Sequence, residues 1–281
     1  MNTVLKYPGS KWSMTDWIIS NFPPGYEEMT YLEPFFGSGA IFFGKNRSKI
    51  ETINDLDGNV VNLFKVIREQ PDELAKLIDL TPWSRQEYKQ SYEMTGDSLE
   101  DARRFMVRTW MAIGTKTSDI TGWRNNIKPG DSGVSRWTRL TESIMLASNR
   151  LKCSKSKLVQ IENMPAVKLI ERYNRPYVFI YCDPPYVLST RSKRIYKCEM
   201  TNDDHVELLK ALINHPGPVM ISGYQNDIYE NLLQGWYKET NKSFCEKGKA
   251  ATEVIWMNYE PPQQQLSLFE GGKVIEHRSN V

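Results

Sequence analysis

Histidine and cysteine are scarce in this 281-residue chain, and their scarcity narrows its chemistry. The three histidines, His205, His215 and His277, lie apart in the sequence and give a histidine-centred acid–base mechanism little material. The four cysteines, Cys153, Cys182, Cys198 and Cys245, form no CxxC pair, which argues against a zinc site and against a disulfide framework. No metal is therefore expected, and the free thiols fit a reducing cytoplasm. No apolar run reaches the roughly 18 residues a membrane span needs. The first residues, MNTVLKYPGSKW, lack the apolar core of a signal peptide.

Net charge is also small, only +2, but its distribution is uneven. Between Arg103 and Lys157 there are twelve basic and three acidic residues, a net +9, leaving −7 for the rest of the chain. A basic stretch inside an acidic protein is the footprint of a polyanion-binding surface.

Around that stretch the pattern is α/β. Tyr31-Leu32-Glu33 and Ile50 to Ile53 read as short strands, with a helix beginning near Ala40. Helical periodicity runs from Val60 to a break at Pro71 and resumes at Leu74, Leu77 and Ile78. From Trp83 to Leu158 the chain reads as mainly helical. A polar interruption at Thr115 to Arg136 carries Lys128-Pro129-Gly130-Asp131 as the turn of a loop or hairpin. Alternation then returns: strand Leu158 to Ile161, helix Pro165 to Tyr173, strand Tyr177 to Cys182, helix Asp203 to Asn214, strand Pro218 to Ser222. The expected organisation is a discontinuous α/β domain, 1–62 with 157–260, holding a helical insert at 63–156. A poorly ordered tail follows at 261–281.

Asp183-Pro184-Pro185-Tyr186 follows the buried strand YVFIYC, where ligands bind in open α/β sheets. Two prolines stiffen the turn and remove backbone donors, leaving the Asp183 carboxylate and the Pro184 carbonyl as acceptors. Such a turn can grip an exocyclic amino group, with Tyr186 as a stacking surface. Phe36-Gly37-Ser38-Gly39, between a strand and a helix, lets a ligand approach the backbone. Asp55 stands 18 residues past Gly37 at another strand end, a spacing suited to ribose hydroxyls, although Asn54-Asp55 can equally cap the next helix. Lys6-Tyr7-Pro8-Gly9-Ser10-Lys11-Trp12 is either a lysine-bearing glycine turn or a solvated terminus.

In order, KYPGSK, EPFFGSG, NDLD, a helical insert, DPPY, Val219 to Tyr224 and Thr252 to Trp256 resemble the Dam-like adenine-N6 DNA methyltransferases, the alpha-ordered D12 class. The resemblance covers about residues 4 to 259, with the insert matching poorly. It implies a Rossmann-like sheet dependent on S-adenosylmethionine (SAM), with an inserted helical target-recognition domain. By resemblance Tyr7 and Lys11 contact SAM, Lys11 near the methionine carboxylate. Phe36, Gly37, Ser38 and Gly39 line its methionine and ribose, Asp55 holds the ribose, Glu162 lies near its adenine, and Asp183 is close to the sulfonium. The amino group to be methylated meets Asp183, Pro184, Pro185 and Tyr186 after the base is flipped out of duplex DNA.

DNA contacts are expected from Trp123, Arg124, Asn125, Asn126, Lys128, Arg136, Trp137 and Arg139, unless the tryptophans form a small core and the arginines a solvated face. The acceptor pair fits cytosine N4 as well as adenine N6; motif order favours adenine. An inactive DNA-binding regulator of the same fold is a third reading. In the tail, Gln265-Leu266-Ser267-Leu268-Phe269 is similar to the pentapeptide with which bacterial proteins dock on the replication sliding clamp; a terminal strand folded back on the core is the alternative. The resemblance implies a protein of the bacterial cytoplasm, with phage origin open.

Overall fold

The computed structural model describes residues 3–125, 132–191, 193–244 and 250–262. In chain order the elements are α1 (Thr15–Ser20), β1 (Thr30–Glu33), α2 (Ala40–Gly44) and β2 (Ile50–Asn54). Six helices follow: α3 (Gly58–Glu69), α4 (Pro71–Leu80), α5 (Arg85–Gln90), α6 (Ser98–Trp110), α7 (Ser132–Trp137) and α8 (Leu140–Leu151). Then come β3 (Leu158–Glu162), α9 (Ala166–Arg172), β4 (Val178–Cys182), α10 (Asn202–Ile213), β5 (Val219–Tyr224), α11 (Asp227–Leu232), β6 (Tyr237–Phe244) and β7 (Ala250–Met257).

The strands form one seven-stranded sheet in the order β3-β2-β1-β4-β5-β7-β6. β3 through β5 are parallel; β7 runs antiparallel to both β5 and β6. Strand order reverses between β1 and β4, so the carboxyl ends of these two neighbours define the crevice where a ligand can sit.

Period-two alternation decides which side chain serves which layer. Tyr31, Phe179, Tyr181 and Met220 point into one core, together with Phe64, Phe105, Trp110 and Ile144 from the helices that follow β2. Leu32, Ile180, Cys182 and Ile221 point into the other, against Leu169 of α9 and Leu208 and Leu212 of α10. Burial on both faces is why β4 reads as an unbroken apolar run. The helices between β2 and β3 share their core with the sheet, and the Trp110 indole donates to the Val4 carbonyl at 2.9 Å.

Local signals set the helix starts. Asp57, Ser84, Asp97 and Asn226 accept from first-turn amides, and Thr201 with Asp204 forms a reciprocal capping box on α10. Pro71 divides α3 from α4 and begins the latter, where its missing N–H costs nothing. The polar stretch after α6, expected as a loop or hairpin over Thr115 to Arg136, begins earlier and ends in a helix. Residues 111–124 close on themselves, with Ile113 N–H donating to Gly122 O at 2.8 Å and Arg124 N–H to Met111 O at 2.7 Å. α7 then occupies residues 132–137. The expected turn at Lys128 to Asp131 lies outside the described residues, as does the tail beyond 262. Among the described residues no helix is long and apolar enough to cross a membrane.

Candidate active site

A cavity opens at the β1/β4 crossover, the place where ligands bind in open α/β sheets. Its walls come from four places: the N-terminal turn (Tyr7 to Lys11), the loop after β1 (Phe35 to Ser38), the end of β2 (Asp55 and Leu56) and the turn after β4 (Asp183 and Pro185). A fifth wall, absent from the sequence reading, is the segment Tyr196 to Met200 beyond that turn.

The glycines here have physical reasons. Gly37 (φ +49°) and Gly9 (φ +68°) adopt the left-handed conformation. A Cβ on Gly9 would fall 2.1 Å from the Tyr196 hydroxyl, so the N-terminal turn and the fifth wall can meet only through a glycine. Gly37 N–H donates to Asp55 Oδ2 at 2.8 Å, and Asp57 N–H donates to Asp55 Oδ1 at the same distance. These bonds hold the glycine turn against the end of β2. Burial raises the Asp55 carboxyl to about 6, against the pull of those amides. Two oxygens with about four lone-pair sites still leave room for ligand hydroxyls.

At the centre is an ion pair that sequence spacing could not display. Lys11 Nζ donates to both Asp183 oxygens at 2.8 Å, and Ser222 Oγ donates to Asp183 Oδ1 at 2.8 Å. Lys11 is only 4% exposed and Asp183 19%. Burial alone would lower the lysine pKa; Asp183, then Glu253, reverse this and leave it above the ordinary lysine value. The Lys11 ammonium, expected near the methionine carboxylate of the cofactor, pairs with Asp183, both being drawn into one desolvated crevice. Lys11 also lies 4.7 Å from the centre of the Tyr186 ring.

Tyr186 is buried, packed edge-on against Tyr224 with centroids 4.7 Å apart, and its hydroxyl donates to Glu253. Glu33, at the end of β1 on the cavity wall, accepts from Tyr31 OH at 2.6 Å; burial raises its carboxyl to about 8. Glu33, Ser222 and Glu253 are the polar residues that sequence reasoning did not assign. The only advance sign was their presence in EPFFGSG, at a strand end and in the Thr252-to-Trp256 motif.

Other expected positions are distributed differently. Ser38 shares a 2.9 Å hydrogen bond with Ser10 across the two loops. Gly39 (φ +70°) precedes α2 beneath the rings of Phe36 and Phe43. Glu162 ends β3 beside Asn54, outside the cavity wall. A second, open cleft adjoins the first at Tyr7 and Ser10 and is edged by Lys6, Arg124, Arg136 and Arg139. Trp123 is half-buried with the Arg85 guanidinium over its ring at 4.8 Å, and Asn125 is exposed. Trp137 is instead a core residue, 6% exposed and edge-on to Trp83, because α7 turns its apolar side inward. Asn126 and Lys128 lie outside the described residues.

A sheet of this order, with a cavity at its crossover, is that of a SAM-dependent methyltransferase. Within that class, the chain belongs to the D12 class N6 adenine-specific DNA methyltransferases, matching that family over residues 7–247. It is 31% identical over 276 residues to the type II methyltransferase M1.LlaDCHI of Lactococcus lactis subsp. cremoris, covering 90% of this chain and 94% of that one. To the type II methyltransferase M.MjaIII of Methanocaldococcus jannaschii it is 25% identical over 258 residues, covering 83% and 88%. Among solved structures, the rRNA methyltransferase aviRa from Streptomyces viridochromogenes is similar at a TM-score of 0.39 and 12% identity, covering 92% and 89%.

Proposed function

We propose that this chain methylates N6 of an adenine flipped out of duplex DNA at a specific sequence, with Asp183, Pro184, Pro185 and Tyr186 receiving the base. The carrying observation is the Lys11–Asp183 pair, which joins the glycine-bearing N-terminal turn to the acceptor turn at the crossover. The cavity suits the cofactor: the glycine-bearing turns at residues 7–11 and 35–38 line it, and Asp55 offers buried acceptor capacity. In this reading Tyr7, Phe36, Gly37, Ser38, Gly39 and Asp55 hold SAM, with Glu162 near its adenine end and Lys11 acting through Asp183. SAM supplies an electrophilic sulfonium methyl.

The residues supply orientation. An exocyclic amino nitrogen is a poor nucleophile because its lone pair is delocalised into the ring. The Asp183 carboxylate and the Pro184 carbonyl each accept one N–H, which favours a tetrahedral nitrogen with its lone pair free. Alignment of this kind contributes roughly 7–11 kcal/mol in favourable cases. Flipping costs on the order of a few kcal/mol. Stacking near Tyr186 recovers roughly 1–3 kcal/mol. Asp183 accepts the proton only after transfer, when the methylated nitrogen is cationic.

The cleft edged by Arg124, Arg136 and Arg139 is the path proposed for the DNA, with Trp123 and Asn125 beside it and Trp137 supporting it from within; Asn126 and Lys128 are proposed as DNA contacts from sequence alone. DNA from a methylation-free host expressing the chain should carry N6-methyladenine in one sequence context by single-molecule sequencing. N4-methylcytosine would move the assignment to the other amino base. A chain that gave no thermal shift with S-adenosylhomocysteine (SAH) would be a regulator rather than an enzyme.

A bacterial cytoplasmic setting and docking of Gln265, Leu266, Ser267, Leu268 and Phe269 on a sliding clamp are proposed from sequence alone. Copurification with a bacterial clamp should disappear when Leu268 and Phe269 are both changed to alanine. Clamp binding that survives the double change would end that proposal.

A further inference from the structure

Glu253 has no role in the reading above, yet it is the second carboxylate of the central cage. It sits on β7, opposite Tyr224 of β5 and Asn241 of β6, and is 2% exposed. Its Oε1 accepts from the Tyr186 hydroxyl and lies 3.6 Å from Lys11 Nζ. One side chain thus touches both the aromatic residue of the acceptor turn and the lysine that holds Asp183.

The charges around it do not balance. Lys11 contributes one positive charge; Asp183 and Glu253, when ionised, contribute two negative ones. Among the described residues no other basic side chain lies within ion-pair distance of either carboxylate. A walled-off cage with a surplus negative charge calls for a cation, since an uncompensated buried charge is strongly disfavoured. Burial accordingly pushes the Glu253 carboxyl up to about 7, with Lys11 holding it back. The other titratable groups facing this cage are Asp183, Tyr186, Tyr181 and Tyr196, with Glu33 beyond Asp183.

We propose that Glu253 is a positioning residue that holds Tyr186 and Lys11 and supplies the countercharge by which the cage prefers the sulfonium cofactor to its neutral thioether product. The assignment rests on the cofactor reading of the cavity. SAM carries one more positive charge than SAH and is otherwise nearly the same size, so the difference in their affinities isolates electrostatics from shape. The same preference assists turnover. Once the methyl has gone, the positive charge leaves with it, and the cage no longer favours the ligand that remains.

The test is calorimetric titration of the full chain with SAM and with SAH. Glu253→Gln keeps an amide oxygen for the Tyr186 hydroxyl but removes the charge. It should weaken SAM by roughly tenfold and SAH by less than about twofold. Glu253→Asp, which restores the charge, should recover part of the preference for SAM. A purely structural role would weaken both ligands alike, and that result, or an unchanged ratio, overturns the assignment of Glu253 while leaving the cofactor site standing. Wild-type protein that binds neither ligand would overturn the cofactor reading and Glu253 with it. A second measurement needs no variant. At pH 7, titrations in buffers of different ionisation heat should show proton release with SAM and none with SAH; equal release with both ligands would contradict the proposal.

Discussion

Asp183→Ala should lower single-turnover methyl transfer by on the order of a thousandfold, comparable to or beyond the loss of one oxyanion-hole donor. DNA affinity should stay within about threefold of the wild type, because the proposed phosphate and groove contacts lie in the neighbouring cleft. Three things disappear together. The incoming amino group loses its charged acceptor. Lys11 loses both of its 2.8 Å bonds to Asp183 and keeps the Gly9 carbonyl at 2.9 Å and Glu253 at 3.6 Å. Ser222 loses the carboxylate to which it donates at 2.8 Å. Asp183→Asn does not repair this, since its amide NH₂ would place a donor where Lys11 already donates. Single-turnover transfer of labelled methyl, with fluorescence anisotropy for DNA, separates the two effects. Transfer within tenfold of wild type in the alanine variant would remove Asp183 from the chemistry.

Glu51→Gln should destabilise the fold by about 3–5 kcal/mol, the usual cost of breaking a buried ion pair from one side. Glu51 lies on β2 away from the crevice, fully buried. Its Oε1 accepts from Lys45 and, at 2.8 Å, from Arg150; its Oε2 accepts from Arg150 at 2.6 Å. Lys45 Nζ also lies 4.0 Å from the centre of the Tyr31 ring, and the Arg150 guanidinium 3.8 Å from that of Phe42. Losing the carboxylate would leave two cations facing aromatic rings with nothing to balance them. Burial pushes this carboxyl up, but the Arg150 hydrogen bonds and the Lys45 charge overcome that and lower its pKa. A carboxyl depressed by folding contributes stability above its unfolded pKa and loses it as pH falls through the folded one. The gap between wild type and variant in urea melts should therefore be full at pH 7 and shrink below roughly pH 4. A gap under 1 kcal/mol at pH 7 would show that the cluster contributes little.

Much of the sheet was readable because its local signals agree. The apolar run before Asp183 is a central strand covered on both faces, and the proline turn follows it as the pattern requires. Gly37 and Asp55, paired in sequence only by spacing, are hydrogen-bonded in space. What could not be read depends on strand order and side-chain direction. β5 and β7 meet antiparallel, and that register carries Ser222 and Glu253 to the two sides of the cage. No periodicity encodes such a meeting. The same gap explains Trp137: a tryptophan in a basic, polar stretch suits a DNA surface equally well, and only the packing against Trp83 shows that it faces inward. Tyr196, which closes the cavity over Gly9, lies in a segment without periodic pattern and gave no signal at all.

The adjacency of β1 and β4 has a consequence for the order in which the protein comes into being. Lys11 and Asp183 are 172 residues apart, and all the helices between β2 and β3 are made in between. At ordinary rates of synthesis the first half of the crevice waits on the order of ten to thirty seconds for the second. Through that interval β1 has β2 on one side and an open edge on the other, with a lysine beside it that lacks its counterion. The helices made meanwhile can cover one face of this half-sheet before its central strand exists. On the ribosome, the nascent chain therefore holds all of its helices between β2 and β3 before the second half of the crevice exists.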